Sequence, residues 1–148
     1  MAPDTAVASD TAVARDTAEA VYRAYNDAEN AHDLEATGRL VTPDLYVEVN
    51  GRPQLGSGAD DAEANAALLR CYPDYHREVV EVVGTTDRAC VRWRMVGTPS
   101  PGLGLGPLDL HGCSVVEVVG GRLARAYLYA DGSVLEGLLE RARDGATS

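Results

Sequence analysis

The side chains best placed for acid–base chemistry cluster at the end of a strand-like run near the C-terminus. Arg125, Tyr127, Tyr129 and Asp131 share one parity, opposite Ala124, Ala126, Leu128 and Ala130, because side chains alternate across a strand. If the polar-aromatic set faces a cavity, Asp131 ends it as a carboxylate in partly apolar surroundings. Desolvation there raises a carboxyl pKa and suits it to proton transfer at neutral pH. Asp131-Gly132 is equally a common turn dipeptide, and residue type alone favours the turn. His111 is the second candidate. It begins a strand face shared with Cys113 and Val115, where it can exchange a proton with Asp131 or polarise a carbonyl. A lone histidine at a strand start is as often merely solvated.

Substrate-binding groups come from other strand-like segments. In residues 45–50, Tyr46, Glu48 and Asn50 alternate with Leu45, Val47 and Val49. Tyr46 or Asn50 can hydrogen-bond a ligand oxygen, although a polar solvent face has the same alternation, the preferred reading for Glu48. Trp93 and Met95 share parity with Val91 and fill a core or wall a pocket. His76 shares a face with Glu78 and Val80 and reads as a half-exposed strand end.

These groups need a scaffold. Residues 10–31 predict a helix with the stripe Val13, Thr17, Ala20, Val21, Ala24 and Ala28, capped at Asp10 or Thr11. Asp33 predicts the cap of a short second helix ended by Pro43. Residues 45–50 read as a strand and residues 51–58 as a loop. A third helix opens at Asp60 or Asp61 and stops at Pro73. Beyond it, residues 76–83, 88–97, 108–119 and 122–130 predict a β-meander, with turns at Thr85-Thr86-Asp87 and Gly120-Gly121. Residues 133–143 predict a last short helix. Helices first and an antiparallel sheet afterwards make an α+β pattern. The expected organisation is a flexible extension over 1–12, a single domain over 13–143 and a tail over 144–148.

Composition narrows the partners. The 13 basic residues face 23 acidic ones, a formal charge of −10, which repels phosphate backbones and anionic membranes. Nucleic acid and membrane are therefore not expected as partners. No apolar run approaches the ~20 residues of a bilayer span, and without a signal-like N-terminus the expected location is cytoplasmic. Cys71, Cys90 and Cys113 lack zinc-site spacing; Cys90 and Cys113, within apolar runs, read as small buried hydrophobes. The Gly-rich run 102–106 does not follow a strand and open a helix, which excludes a dinucleotide fingerprint. An ordinary loop or a lip over a cavity mouth is expected there.

Several short segments in order carry a family resemblance. Gly120-Gly121-Arg122-Leu123, followed by Tyr127 and Asp131, is similar to the turn, final strand, aromatic and aspartate of SnoaL-like polyketide cyclases, within the nuclear-transport-factor-2-like superfamily. Cys71-Tyr72-Pro73-Asp74-Tyr75 resembles that family's segment after its third helix. Val91-Arg92-Trp93 with Gly97-Thr98 resembles its arginine-tryptophan strand, and residues 20–37 its first two helices. Pro99 stands where the family often has histidine, and residues 102–110 replace its usual Pro-Thr-Gly loop.

The resemblance implies a cone-shaped barrel, a curved, mostly antiparallel sheet wrapped around the N-terminal helices, and a homodimer. It implies a cofactor-independent cyclase or isomerase acting on a polyketide-like small molecule, with Asp131 removing a proton alpha to a carbonyl and the enolate closing a ring by aldol chemistry. His111 or a tyrosine, with Tyr127 and Tyr129 lining the pocket, stabilises the enolate oxygen. No metal or organic cofactor is needed. One alternative is epoxide opening by two carboxylates flanking an arginine, for which Arg92-Trp93-Arg94 lacks a nearby aspartate and Glu48 is the substitute acid. The other is a non-catalytic small-molecule-binding protein, since fold alone does not decide activity.

Overall fold

The computed structural model describes residues 17–146. The chain runs through α1 (Ala18–Asn30), α2 (Leu34–Arg39), β1 (Val41–Val49), β2 (Arg52–Leu55), α3 (Gly58–Cys71), β3 (His76–Gly84), β4 (Arg88–Gly97), β5 (Leu108–Val119), β6 (Arg122–Ala130) and α4 (Val134–Ala146). The extension over 1–12, the caps at Asp10 and Thr11 and the end of the tail lie outside the described residues.

The strands form one curved sheet in the order β2-β1-β6-β5-β4-β3. Only β1 and β6 pair in parallel; the other neighbours are antiparallel. The α+β architecture is as expected, but the barrel is open, with β2 and β3 as free edges. No hydrogen-bonded ladder joins those edges. The helices occupy the concave side instead.

Register defines the two sheet faces. Val82, Val91, Ser114 and Leu128 lie side by side across β3, β4, β5 and β6, as do Ala89, Val116 and Ala126 on the next inner row. These residues pack towards the helices. On the outer face Val83, Cys90, Val115 and Tyr127 form one row and Glu81, Arg92, Cys113 and Tyr129 the next. Cys90 is accordingly exposed and Cys113 half-buried, not interior as expected. Alternation within an apolar run does not say which parity faces the core.

Boundaries differ where turn chemistry and sheet pairing compete. Thr17 caps α1, accepting from the Ala20 amide at 3.3 Å. Ser57 caps α3 through the Asp60 amide at 3.0 Å, freeing Asp61 from the capping role. Asp33 caps α2 as expected, at 3.0 Å from the Ala36 amide. That helix ends at Arg39, and Pro43 falls inside β1, where the register against β6 breaks between Val41 and Tyr46. A proline has no amide to offer a ladder. The expected loop after β1 contains edge strand β2, a position that tolerates Pro53. No helix of the described residues is long and apolar enough to cross a membrane.

Candidate functional site

The interior of the sheet holds a polar cluster that begins with α1. Its buried face reads Ala18, Val21, Tyr22, Tyr25, Asn26 and Glu29, spaced as one helical stripe but with four polar-capable side chains among six. α3 faces it with Asp61, Ala64, Asn65 and Leu68, all buried. Between the two helices the Tyr25 hydroxyl lies 3.1 and 2.9 Å from the two Asp61 carboxyl oxygens. Asn65 Nδ2 donates to the Tyr25 hydroxyl oxygen at 3.1 Å and to Asp61 Oδ2 at 3.3 Å. Burial is the main cause that raises the Asp61 pKa to about 6, with the Glu29 charge adding and Tyr25 and Arg77 opposing. Burial and then the Asp61 charge hold Tyr25 well above its ordinary range, so its hydroxyl keeps its proton at neutral pH.

A buried ion pair lies beside this triad. Arg77 on β3 donates from Nη2 to Glu29 Oε2 at 2.8 Å and from Nε to Asn26 Oδ1 at 2.8 Å. Asn30 accepts from the Arg77 amide at 2.8 Å and donates to its carbonyl at 2.9 Å. The side chain thus mimics a neighbouring strand at the β3 edge and fixes Arg77 against α1. The Arg77 guanidinium stands 5.4 Å from the Tyr22 ring centroid and 5.9 Å from that of Tyr25. His32, at φ 58, uses Nε2 at 3.0 Å to hold the Tyr75 carbonyl.

A cavity of about 100 Å³ opens between these groups and an apolar wall. Tyr22, Tyr25, Glu29, Asp61, Tyr75 and Arg77 line its polar end; leucines from β1, β2, α3, β6 and α4, with valines of β1 and β5 and Met95 of β4, form most of the apolar wall. The arrangement supplies a proton acceptor of pKa about 6, phenolic donors and a fixed cation, in surroundings that strengthen electrostatic interactions. Among the described residues no group of three or more His, Cys, Asp or Glu side chains could hold a metal ion.

Comparison with known proteins agrees with this architecture. A family model for the SnoaL-like domain matches residues 22–126. The chain belongs to the SnoaL-like family. No curated protein sequence matches it. Among solved structures, a SnoaL-like polyketide cyclase from Agrobacterium tumefaciens superposes with a TM-score of 0.65 at 21% identity, covering 83% of this chain and 98% of that one. An LEH-like epoxide hydrolase from M. tuberculosis gives 0.66 at 16% identity, over 86% and 92%. A cystatin-fold protein from Novosphingobium aromaticivorans gives 0.64 at 19%, over 73% and 93%. At these identities the likeness concerns the fold.

Within this SnoaL-like frame the residues singled out from sequence are dispersed. The cavity is lined on β6 by Leu123 before the register break and by Ala126 and Leu128 after it, so Tyr127, Tyr129 and Asp131 have the opposite parity from the one expected. α1 already fills the concave side with tyrosines, leaving room opposite only for small or aliphatic side chains. Asp131 and His111 are both exposed, and they border an open groove on the outer face with Cys113 and Tyr129. Tyr46 donates to Glu48 at 2.8 Å, and neither lines the cavity. Asn50, at φ 50, is a clamp: it accepts from the Ala130 amide and donates to the Gly132 carbonyl and Glu136. Met95 does line the cavity. Trp93 is buried beside it, its indole donating to Ser114 Oγ at 2.8 Å. His76 is an exposed strand end.

No residue of the loop over 98–107 lines the cavity. Its Thr98 amide donates to Asp74 at 2.6 Å and its Ser100 amide to the Cys71 carbonyl at 2.8 Å, while Tyr72 donates to the Gly106 carbonyl at 2.9 Å.

Sequence reasoning missed Tyr25, Asp61, Asn65, Arg77 and Glu29. The available signal was helical spacing. Tyr22, Tyr25, Asn26 and Glu29 recur on one face, and Asp61 and Asn65 sit one turn apart in line with Ala64 and Leu68. The competing stripe through Ala20, Ala24 and Ala28 obscured the first, and the capping role of an aspartate the second.

Proposed function

We propose that this SnoaL-like protein is an acid–base enzyme of the cyclase or isomerase type, acting on a small, largely apolar carbonyl compound, with Asp61 as the proton-transfer group. The observation that carries this is a nearly buried carboxyl of pKa about 6 on the wall of an apolar cavity. A base with a pKa just below the working pH combines a large ionised fraction with useful basicity. The Asp61 carboxylate takes a proton alpha to the carbonyl, the C–H electron pair becomes the enolate double bond, and the carbonyl oxygen takes the charge. Protonation at another carbon completes an isomerisation; attack on a second carbonyl closes a ring. The cavity volume suits one small ring or the reactive end of a longer molecule. Tyr25 and Asn65 orient the carboxyl.

A specific observation also favours epoxide opening as a second reading. Glu29, Arg77 and Asp61 line one cavity, which supplies the two carboxylates and the guanidinium that Arg92 and Arg94 do not. There Asp61 takes a proton from a water whose oxygen bonds to an epoxide carbon, the C–O bond to that carbon breaks, and the ring oxygen takes a proton from a tyrosine hydroxyl of the cavity, which recovers it from Asp61. Purified protein given poly-carbonyl and epoxide substrates separates the two. Asp61→Asn is expected to lower turnover at least a hundredfold on the true substrate, while Asp131→Asn leaves it within about twofold. The reverse pattern would return the base to the outer groove.

A homodimer is the expected assembly. The outer sheet face exposes Val80, Val83, Val115 and Tyr129, and we infer that a second copy covers it, in line with the family resemblance. Light scattering at monomer mass contradicts this.

A further inference from the structure

The apolar end of the cavity is closed by α4. Leu135, Leu138 and Leu139 recur at the spacing of one helical face, and all three line the cavity. The other walls cannot retreat one by one. Those of β1, β4, β5 and β6 stand in hydrogen-bonded ladders. α1 is tied to β3 through Arg77, and α3 to α1 through the contacts of Tyr25 with Asp61 and Asn65. α4 belongs to no ladder. Side chains beyond the cavity fix its first turn instead. Asn50 Nδ2 donates to the Gly132 carbonyl at 3.1 Å and to Glu136 Oε1 at 3.0 Å, while Asn50 Oδ1 accepts from the Ala130 amide at 3.1 Å. Arg52 Nη1 stands 3.8 Å from Glu136 Oε2. The clamp therefore joins the ends of β1 and β6 to the start of α4, and neither Asn50 nor Glu136 lines the cavity.

Size decides what this wall admits. The cavity measures about 100 Å³, below the roughly 150 Å³ of an aliphatic-lined cavity that takes benzene. A five-membered ring is therefore at its limit, and two further methylenes exceed it unless α4 gives way. We propose that α4 is the size-selecting wall of the cavity: Leu135, Leu138 and Leu139 set the largest ring accepted, and Asn50, through Gly132 and Glu136, is the positioning residue that holds them there. The inference rests on the reading of this cavity as the reactive site and adds which ligands reach it, compact apolar rings without bulky substituents. With the polar end formed by α1, α3 and β3, a ligand whose reactive carbon meets Asp61 turns its remaining atoms to the leucines. Each methylene beyond the capacity of the site displaces packed side chains, and such overpacking is costly in a close-packed interior.

The test compares cyclopentanone with cycloheptanone, which differ by two methylenes, in NMR titrations of the full chain. Transfer from water alone favours the larger ring, so a preference for the smaller one reports the wall. Wild type is expected to bind cyclopentanone about tenfold more tightly, the effect of one misfitting methylene in an apolar pocket. Leu138→Ala removes three carbons and is expected to bind cycloheptanone at least as tightly as cyclopentanone. Should it fail to fold, Leu139→Ala, at a partly buried position, carries the same expectation. Asn50→Gly touches no ligand, and glycine adopts the Asn50 φ of 50 freely. It is expected to narrow the preference in the same direction, which a loss of stability alone does not do. The inference is overturned if wild type binds the larger ring as well as the smaller or binds neither. An unchanged preference in the leucine variant or in Asn50→Gly overturns it too. The acid–base reading fails separately. If Asp61→Asn keeps both the ring preference and solvent-deuterium exchange at the ketone α-carbons, the wall stands and Asp61 is not the base.

Discussion

Asp61 is an acid whose environment works against its charge. Its folded pKa of about 6 exceeds the ordinary 3.8, so the native state binds a proton more readily than the unfolded chain between those values. Stability contributed by this group is therefore full below about pH 4 and lost as pH rises through 6, the opposite of a salt-bridged aspartate. The difference corresponds to on the order of 3 kcal/mol. Urea unfolding from pH 4 to pH 7 is expected to show this component in wild type and lose it in Asp61→Asn; equal slopes contradict the raised pKa. Little of this was legible in the sequence. An aspartate beside Asp60 at a helix start looks like a cap, and only the tertiary position of Tyr25 and Asn65 distinguishes it. Asp131 attracted attention because it ends an aromatic parity, yet parity does not determine inside from outside when α1 supplies the interior tyrosines. Met95, expected to fill a core or wall a pocket, lines the cavity; a large apolar side chain in mid-strand is buried on either account.

At the scale of elements, the contact between α1 and β3 is set by Arg77. Its backbone and side chain are held by Asn26, Glu29 and Asn30, and the pair with Glu29 is almost wholly buried. Glu29→Gln leaves that guanidinium without its counter-charge, and the expected loss is about 3–5 kcal/mol, measured by chemical denaturation. A loss under about 1 kcal/mol contradicts the buried pairing. The crossing of β4, β5 and β6 depends on Gly112 in a different way. A Cβ there would strike the Trp93 ring and come within 2.7 Å of the Tyr129 carbonyl. Gly112→Ala is expected to cost about 1–3 kcal/mol through overpacking; a neutral effect on Tm contradicts the close approach. Element bounds were legible for β4, β5 and β6, where tight turns and long alternating runs agree. They were not for β1 and β2, where Pro43 and Pro53 read as breakers although strand edges and register breaks tolerate proline.

The whole molecule joins an open curved sheet to helices that supply most of the polar lining of its cavity. The fold was legible because helices-then-meander order and the family segments are properties of the chain. The site was not, because it forms where α1, α3 and β3 converge, and no local pattern records that convergence. The small cavity and the leucines of α4 along its wall point to a compact ligand, consistent with chemistry confined to one carbonyl.

The most direct measurement is the pH dependence of deuterium exchange into a bound cyclic ketone, in wild type and Asp61→Asn. Exchange catalysed by wild type is expected to rise through one ionisation near pH 6 and to be lost in the variant. A profile flat across pH 6, or exchange surviving in Asp61→Asn, contradicts the central role of Asp61.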